Sequence, residues 1–143
     1  MRGTPGEGSS TVFGAESYHV GEFVYTGSDQ ATTGTAKHII LIEKIYRGAD
    51  GAQMMSGNRF FRPVETFHLP TRKFLEREVF RTDVHEDVGF DRIVGRCFVM
   101  PVRDYFRSAP VGFKDEDVFV CESRWVKIES FKGGISTKIY FLN

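Results

Sequence analysis

The sequence predicts an all-β domain: a curved, barrel-like sheet with short helices between strands and long loops. Three observations carry that prediction. Short runs rich in β-branched and aromatic residues recur along the chain, and clusters of Gly, Ser, Thr and Asp separate them. Fourteen phenylalanines stand against one tryptophan, so the core is built from rings that bury apolar area without a polar atom needing a partner.

Residues 1–17, with Gly3, Pro5, Gly6, Gly8, Ser9, Ser10 and Gly14, show no strand or helical period. They are read as a flexible lead-in or a non-native remnant outside the fold, leaving 18–143 as a single domain. Strands are expected over 20–25, 37–46 and 52–61, with an exposed loop over 27–34 between the first two. Consecutive apolar residues at Ile39, Ile40, Leu41 and Ile42 need cover on both faces, which makes that strand the central one. Gly48, Ala49, Asp50 and Gly51 supply turn residues that join the second and third strands into a hairpin. A short helix is expected to open at Pro101, whose missing N–H costs nothing in a first turn. Val102, Tyr105 and Phe106 would share one of its faces and Arg103 and Arg107 a neighbouring one. A second helix of about one turn is expected over 89–94, where Phe90, Ile93 and Val94 have helical spacing before Gly95. Strands return over 117–122 and over 135–142, the latter after a Gly133-Gly134 turn.

Nineteen basic and nineteen acidic side chains cancel, so the chain lacks the positive field of a dedicated nucleic-acid binder, and DNA contact would have to be local. The longest aliphatic run is Ile39-Ile40-Leu41-Ile42, far short of the ~18 to 20 apolar residues that span a bilayer, and a soluble, intracellular protein is expected. Cys97 and Cys121 each lie in an apolar run without metal-ligand spacing, and two reduced, buried thiols are expected.

Nothing in the sequence assembles reactive chemistry. His19, His38, His68 and His85 lack the i, i+4 spacing of a helical metal pair, and no glycine-rich phosphate loop follows a strand. Asp115, Glu116 and Asp117 read as a solvated turn before a strand. No catalytic residue, cofactor, metal or small-molecule substrate is assigned, and the expectation is a non-enzyme.

The most informative stretch begins Gly57-Asn58-Arg59-Phe60-Phe61-Arg62-Pro63-Val64-Glu65 and runs through Phe67-His68-Leu69-Pro70 to Phe74. Three further segments follow: Glu78-Val79-Phe80-Arg81-Thr82-Asp83, Ile93-Val94-Gly95-Arg96-Cys97-Phe98-Val99-Met100 and Asp117-Val118-Phe119-Val120-Cys121-Glu122-Ser123-Arg124. In that order they resemble the bromo-adjacent homology (BAH) domain over roughly 18–131, in the form found in polybromo-type subunits of SWI/SNF-class chromatin-remodelling complexes. The resemblance implies a distorted β-barrel-like sheet and a nuclear, non-catalytic interaction module. Its partners would be subunits of a remodelling complex, with histones or the nucleosome, and DNA as a weaker alternative through an arginine patch. A histone-tail reader is the other reading, with the peptide adding along a strand edge.

Some BAH domains place Trp and Tyr at the positions matching Arg59 and Phe61, where they help cage a methylated lysine; a guanidinium at Arg59 would repel that cation. Arg59 then reads as a salt-bridging surface residue and Phe61 as core or partner-facing. Proline at Pro63 ends the strand in either reading, and Arg62 has Glu65 as a local ion-pair candidate. The candidate partner or peptide surface is Tyr25, Arg59, Phe61 and Trp125; the candidate nucleosome or DNA contacts are Arg96, Arg103 and Arg107.

Overall fold

The computed structural model describes residues 8–27, 37–63, 73–121, 125–130 and 137–142. Among them the fold is mostly β, as expected. The strands are β1 (Ser10–Phe13), β2 (Glu16–His19), β3 (Phe23–Thr26), β4 (His38–Arg47), β5 (Gln53–Phe61), β6 (Phe80–Gly89), β7 (Ile93–Pro101), β8 (Val118–Cys121), β9 (Trp125–Ser130) and β10 (Thr137–Leu142). Among the described residues helical structure is confined to α1 (Val102–Tyr105) and to single 3-10 turns such as Phe90–Arg92 and Asp115–Asp117. Contacts gather into two units, Met1–Asn58 with His85–Arg96 and Arg59–Val84 with Cys97–Asn143.

In the first unit the strand order is β6-β5-β4-β3-β7, and β1 and β2 form a separate pair. The central strand is the expected one: in β4, Ile39, Ile40 and Ile42 are fully buried, and exposed Glu43 and Lys44 precede buried Ile45. The expected β4–β5 turn forms, with Gly48 N–H donating to Ala52 O, Ala52 N–H donating to Asp50 Oδ1, and Gly51 at φ 84, a conformation that suits glycine. Gly57 in β5 faces β4 so closely that an added Cβ would press on Ile40 Cγ2 and lie 2.6 Å from Leu41 O. The core here is Tyr18, Val24, Ile40, Ile42, Ile45, Met55 and Phe90. Phe90 meets Tyr18 edge-on at 5.4 Å and Phe13 at 6.0 Å.

Several elements differ from expectation. Residues 10–17 are not a structureless lead-in: they make β1 and the start of β2, registered Ser10↔His19 to Phe13↔Glu16 around a Gly14-Ala15 loop in which Gly14 has φ 62. Phe13 packs on the core, and that contact, rather than local composition, holds the hairpin. Val20 and Gly21 turn, so β3 starts only at Phe23. The expected helix over 89–94 is one 3-10 turn, and β7 begins at Ile93 and runs through Gly95.

In the second unit the order is β10-β9-β6-β5, with β7 pairing β8. β5 stops at Phe61 before Pro63, as proline demands. Phe61 and Phe80 are buried together with half-buried Phe74 and Val84. β6 was not foreseen as a strand, and neither was β9. The buried face of β6 includes Thr82, whose hydroxyl donates to Arg59 O at 2.6 Å and accepts from Val84 N–H at 3.0 Å. β6 pairs parallel with β9 through Arg81↔Trp125, and β7 pairs parallel with β8 from Phe98↔Val118 to Pro101↔Cys121. Cys97 is buried but Cys121 only half so, and no disulfide joins them. Residues 28–34 of the loop expected over 27–34, residues 64–72 with Glu65, and the expected Gly133-Gly134 turn lie outside the described residues.

Candidate functional site

The aromatic candidates do not stand as exposed anchors. Tyr25 in β3 is 6% exposed and Phe61 in β5 is 7% exposed. Each ring already carries a cation: Lys37 Nζ lies 5.0 Å from the Tyr25 centroid, and the Arg59 guanidinium lies 4.3 Å from that of Phe61. Arg59, expected from sequence as a salt-bridging surface residue, is half-buried and lies over the ring of its same-face neighbour two residues on. Arg62 likewise reaches the Phe119 ring, at 5.9 Å. Trp125 opens β9, and its side chain lies outside the described residues.

The three candidate arginines separate into two kinds. Arg96 in β7 is committed within its own unit: Nη1 donates to Glu22 Oε1 at 3.1 Å, Nε and Nη2 donate to Glu16 Oε1 at 3.4 and 3.3 Å, and Nη2 also donates to Ser17 O. Its guanidinium covers the Tyr18 ring at 4.3 Å. It pins the β1–β2 hairpin, so this candidate DNA contact is already ion-paired. Arg103 and Arg107 are exposed, but they do not share a helical face, because α1 ends at Tyr105 after four residues. Arg107 N–H instead closes a turn onto Asp104 O.

Sequence reasoning missed one feature of the second unit. A cleft of about 320 Å³ is lined by Arg77, Tyr105, Ser108, Pro110, Phe113 and Asp115, among others. α1 presents Tyr105, and Phe113 is held by the Phe98 ring at 5.5 Å after a turn through Gly112 at φ 90. Arg77 has φ 65, a left-handed conformation that costs a non-glycine residue about 1 kcal/mol. The backbone around it is pinned: Val120 N–H donates to Arg77 O, Val79 N–H to Val120 O, and Leu75 N–H to the carboxylate of buried Glu78. Among the described residues neither the Arg77 nor the Asp115 side chain has an ion-pair or hydrogen-bond partner. A left-handed arginine has no signature in a single sequence, so only the spacing of Tyr105, Pro110 and Phe113 could have hinted at the cleft.

No group of three His, Cys, Asp or Glu among the described residues could hold a metal ion. Among them, three histidines each lie beside a glutamate instead: His19–Glu22, His38–Glu86 and His85–Glu43. The turn Asp115–Asp117 is a solvated one, with Asp115 and Glu116 exposed.

Against known proteins, the family model of the BAH domain matches residues 16–133. Chromatin structure-remodeling complex subunit rsc1 of Schizosaccharomyces pombe is 39% identical over 84 residues, covering 59% of this chain and 10% of that protein. Subunit RSC2 of Saccharomyces cerevisiae is 29% identical over 122 residues, covering 85% of this chain and 13% of that protein. Histone-lysine N-methyltransferase ash1 of Drosophila melanogaster is 34% identical over 94 residues, covering 65% of this chain and 4% of that protein. This chain thus spans a small part of each relative. The crystal structure of the yeast Rsc2 BAH domain superposes with a TM-score of 0.69 at 24% identity, covering 83% of this chain and 50% of that one, and it shares the fold.

Proposed function

The chain belongs to the BAH domain family, and from that premise we propose that it is a non-catalytic interaction module of a nuclear chromatin-remodelling subunit, docking on partner subunits and nucleosomes. The observation that carries this reading is the kinship of sequence with two remodelling-complex subunits, rsc1 and RSC2. The ash1 relative bears a methyltransferase name, but the shared segment is 4% of that protein, so the enzymatic title stays with the rest of it. Affinity would come from a few desolvated anchors rather than from total area. Methyl-lysine reading is disfavoured by Arg59, whose guanidinium covers the Phe61 ring where a methylammonium would need an open aromatic face.

A second reading, contact with nucleosomal DNA, is favoured by Arg103 and Arg107, which are exposed. The test is a binding comparison of the domain against histone peptides, free duplex DNA, whole nucleosomes and remodelling-complex subunits. We expect binding to partner subunits or nucleosomes and weak binding to free duplex. Salt-sensitive duplex binding lost in the double variant Arg103→Glu/Arg107→Glu would shift the function to the second reading. Tight binding of an isolated histone peptide that is abolished by Phe61→Ala would move it to a tail reader. Failure on every probe would overturn the module.

A further inference from the structure

We propose that the cleft lined by Arg77 is a peptide-docking site that takes a partner segment carrying an acidic, an apolar and a basic side chain. The inference rests on the interaction-module reading in one respect, that the ligand is protein. Two opposite charges, Arg77 and Asp115, line one cleft, and neither side chain has an ion-pair partner among the described residues. Arg77 is half-buried and Asp115 stands exposed at the same cleft, so the ligand that complements both is dipolar, with a carboxylate for Arg77 and a cation for Asp115. The rest of the lining includes Tyr105, Pro110 and Phe113, a surface suited to an apolar side chain.

The surroundings favour a peptide over a small molecule. Phe106 and Val111, adjacent in sequence to lining residues, are 71% and 97% exposed, apolar surface that a longer ligand could cover and a small molecule in the cleft would not. The backbone of Arg77 adds an independent argument. Glycine would occupy φ 65 without strain, yet an arginine stands there, held by hydrogen bonds from its neighbours. Strain kept at a cleft-lining residue is accounted for if the guanidinium is what the position is for.

That argument supplies its own test, because Arg77→Gly removes the charge and relieves the backbone together. Amide chemical shifts of the domain would be followed by NMR while adding capped peptides of sequence Gly-Glu-Leu-Lys-Gly or Gly-Gln-Leu-Gln-Gly. The mixed-charge peptide should shift Arg77, Tyr105, Ser108 and Phe113. The neutral peptide should bind weaker by on the order of tenfold, the size of one lost charged hydrogen bond. Arg77→Gly should bind no better than the neutral peptide does, with its melting temperature unchanged or raised. Equal response to both peptides, shifts confined to other residues, or undiminished binding by Arg77→Gly would overturn the site. If those results came with intact nucleosome or subunit binding, the module reading would stand and only the cleft would fall.

Discussion

Individual charged groups of the two units differ in how they are matched. In the first, Arg96 is closed onto Glu16, Glu22 and the Tyr18 ring, and His38 and His85 each face a glutamate 48 and 42 positions away. In the second, Arg77, Arg103 and Asp115 have no ion-pair partners among the described residues, and two of them line a cleft. Satisfied polar groups over a closed apolar core are what stability asks for, whereas charges in contact with water persist unmatched. The contrast leaves Arg77, Arg103 and Asp115 open to a ligand or to water, as Arg96 is not.

The largest expected effect probes the core of the first unit. Phe90→Ala empties a fully buried site beside Tyr18 and Phe13 and should cost about 3 to 5 kcal/mol in urea unfolding. A cost below about 1 kcal/mol would mean that this cluster does not bear the fold. Next, Gly57→Ala forces a methyl against Ile40 and the Leu41 carbonyl, and the resulting overpacking should cost roughly 1 to 3 kcal/mol by the same measurement. The sharper comparison is between arginines. Arg96→Met should cost about 1 to 2 kcal/mol, since its pairs are partly solvated but come with a ring contact and a backbone carbonyl. Arg103→Met should stay within about 0.5 kcal/mol of the parent, and equal losses would erase the distinction.

The smallest effect is titration of Tyr46. Partial burial, then the charge and hydrogen bond of Asp87, raise its phenol above the ordinary 10.0, while Lys44 pulls it down. Below that pH the hydroxyl is protonated whether the chain is folded or not. Above it the unfolded chain ionises first, so stability should fall as pH climbs. Asp87→Asn should bring the phenolate absorbance transition to lower pH.

Legibility followed the range of the interactions. The β4–β5 hairpin could be read because apolar run, turn and second run are contiguous. β6 could not: its Phe80, Thr82, Val84, Glu86 and Val88 alternate with polar neighbours, but Thr82 and Glu86 break the hydrophobic pattern, and what seats Thr82 is a hydrogen bond 23 residues away. β1 hid in glycine-rich sequence because Phe13 finds its partner, Phe90, only in the fold. Arg96 had the look of a free basic residue for the same reason, its partner Glu16 lying 80 positions earlier. Tyr25 and Phe61 were chosen as interface-type aromatics, yet the positions that display them least were indistinguishable from composition alone.

The parallel ladder between β6 and β9 has a kinetic corollary. Arg81 cannot meet Trp125 until the intervening stretch has left the ribosome and closed a long loop, an entropic toll levied before the first bond rewards it. Such non-local pairing slows folding toward the millisecond-to-second regime and leaves β6 without that neighbour during synthesis. Nascent chains halted before Trp125 should therefore expose this strand to chaperones or to one another.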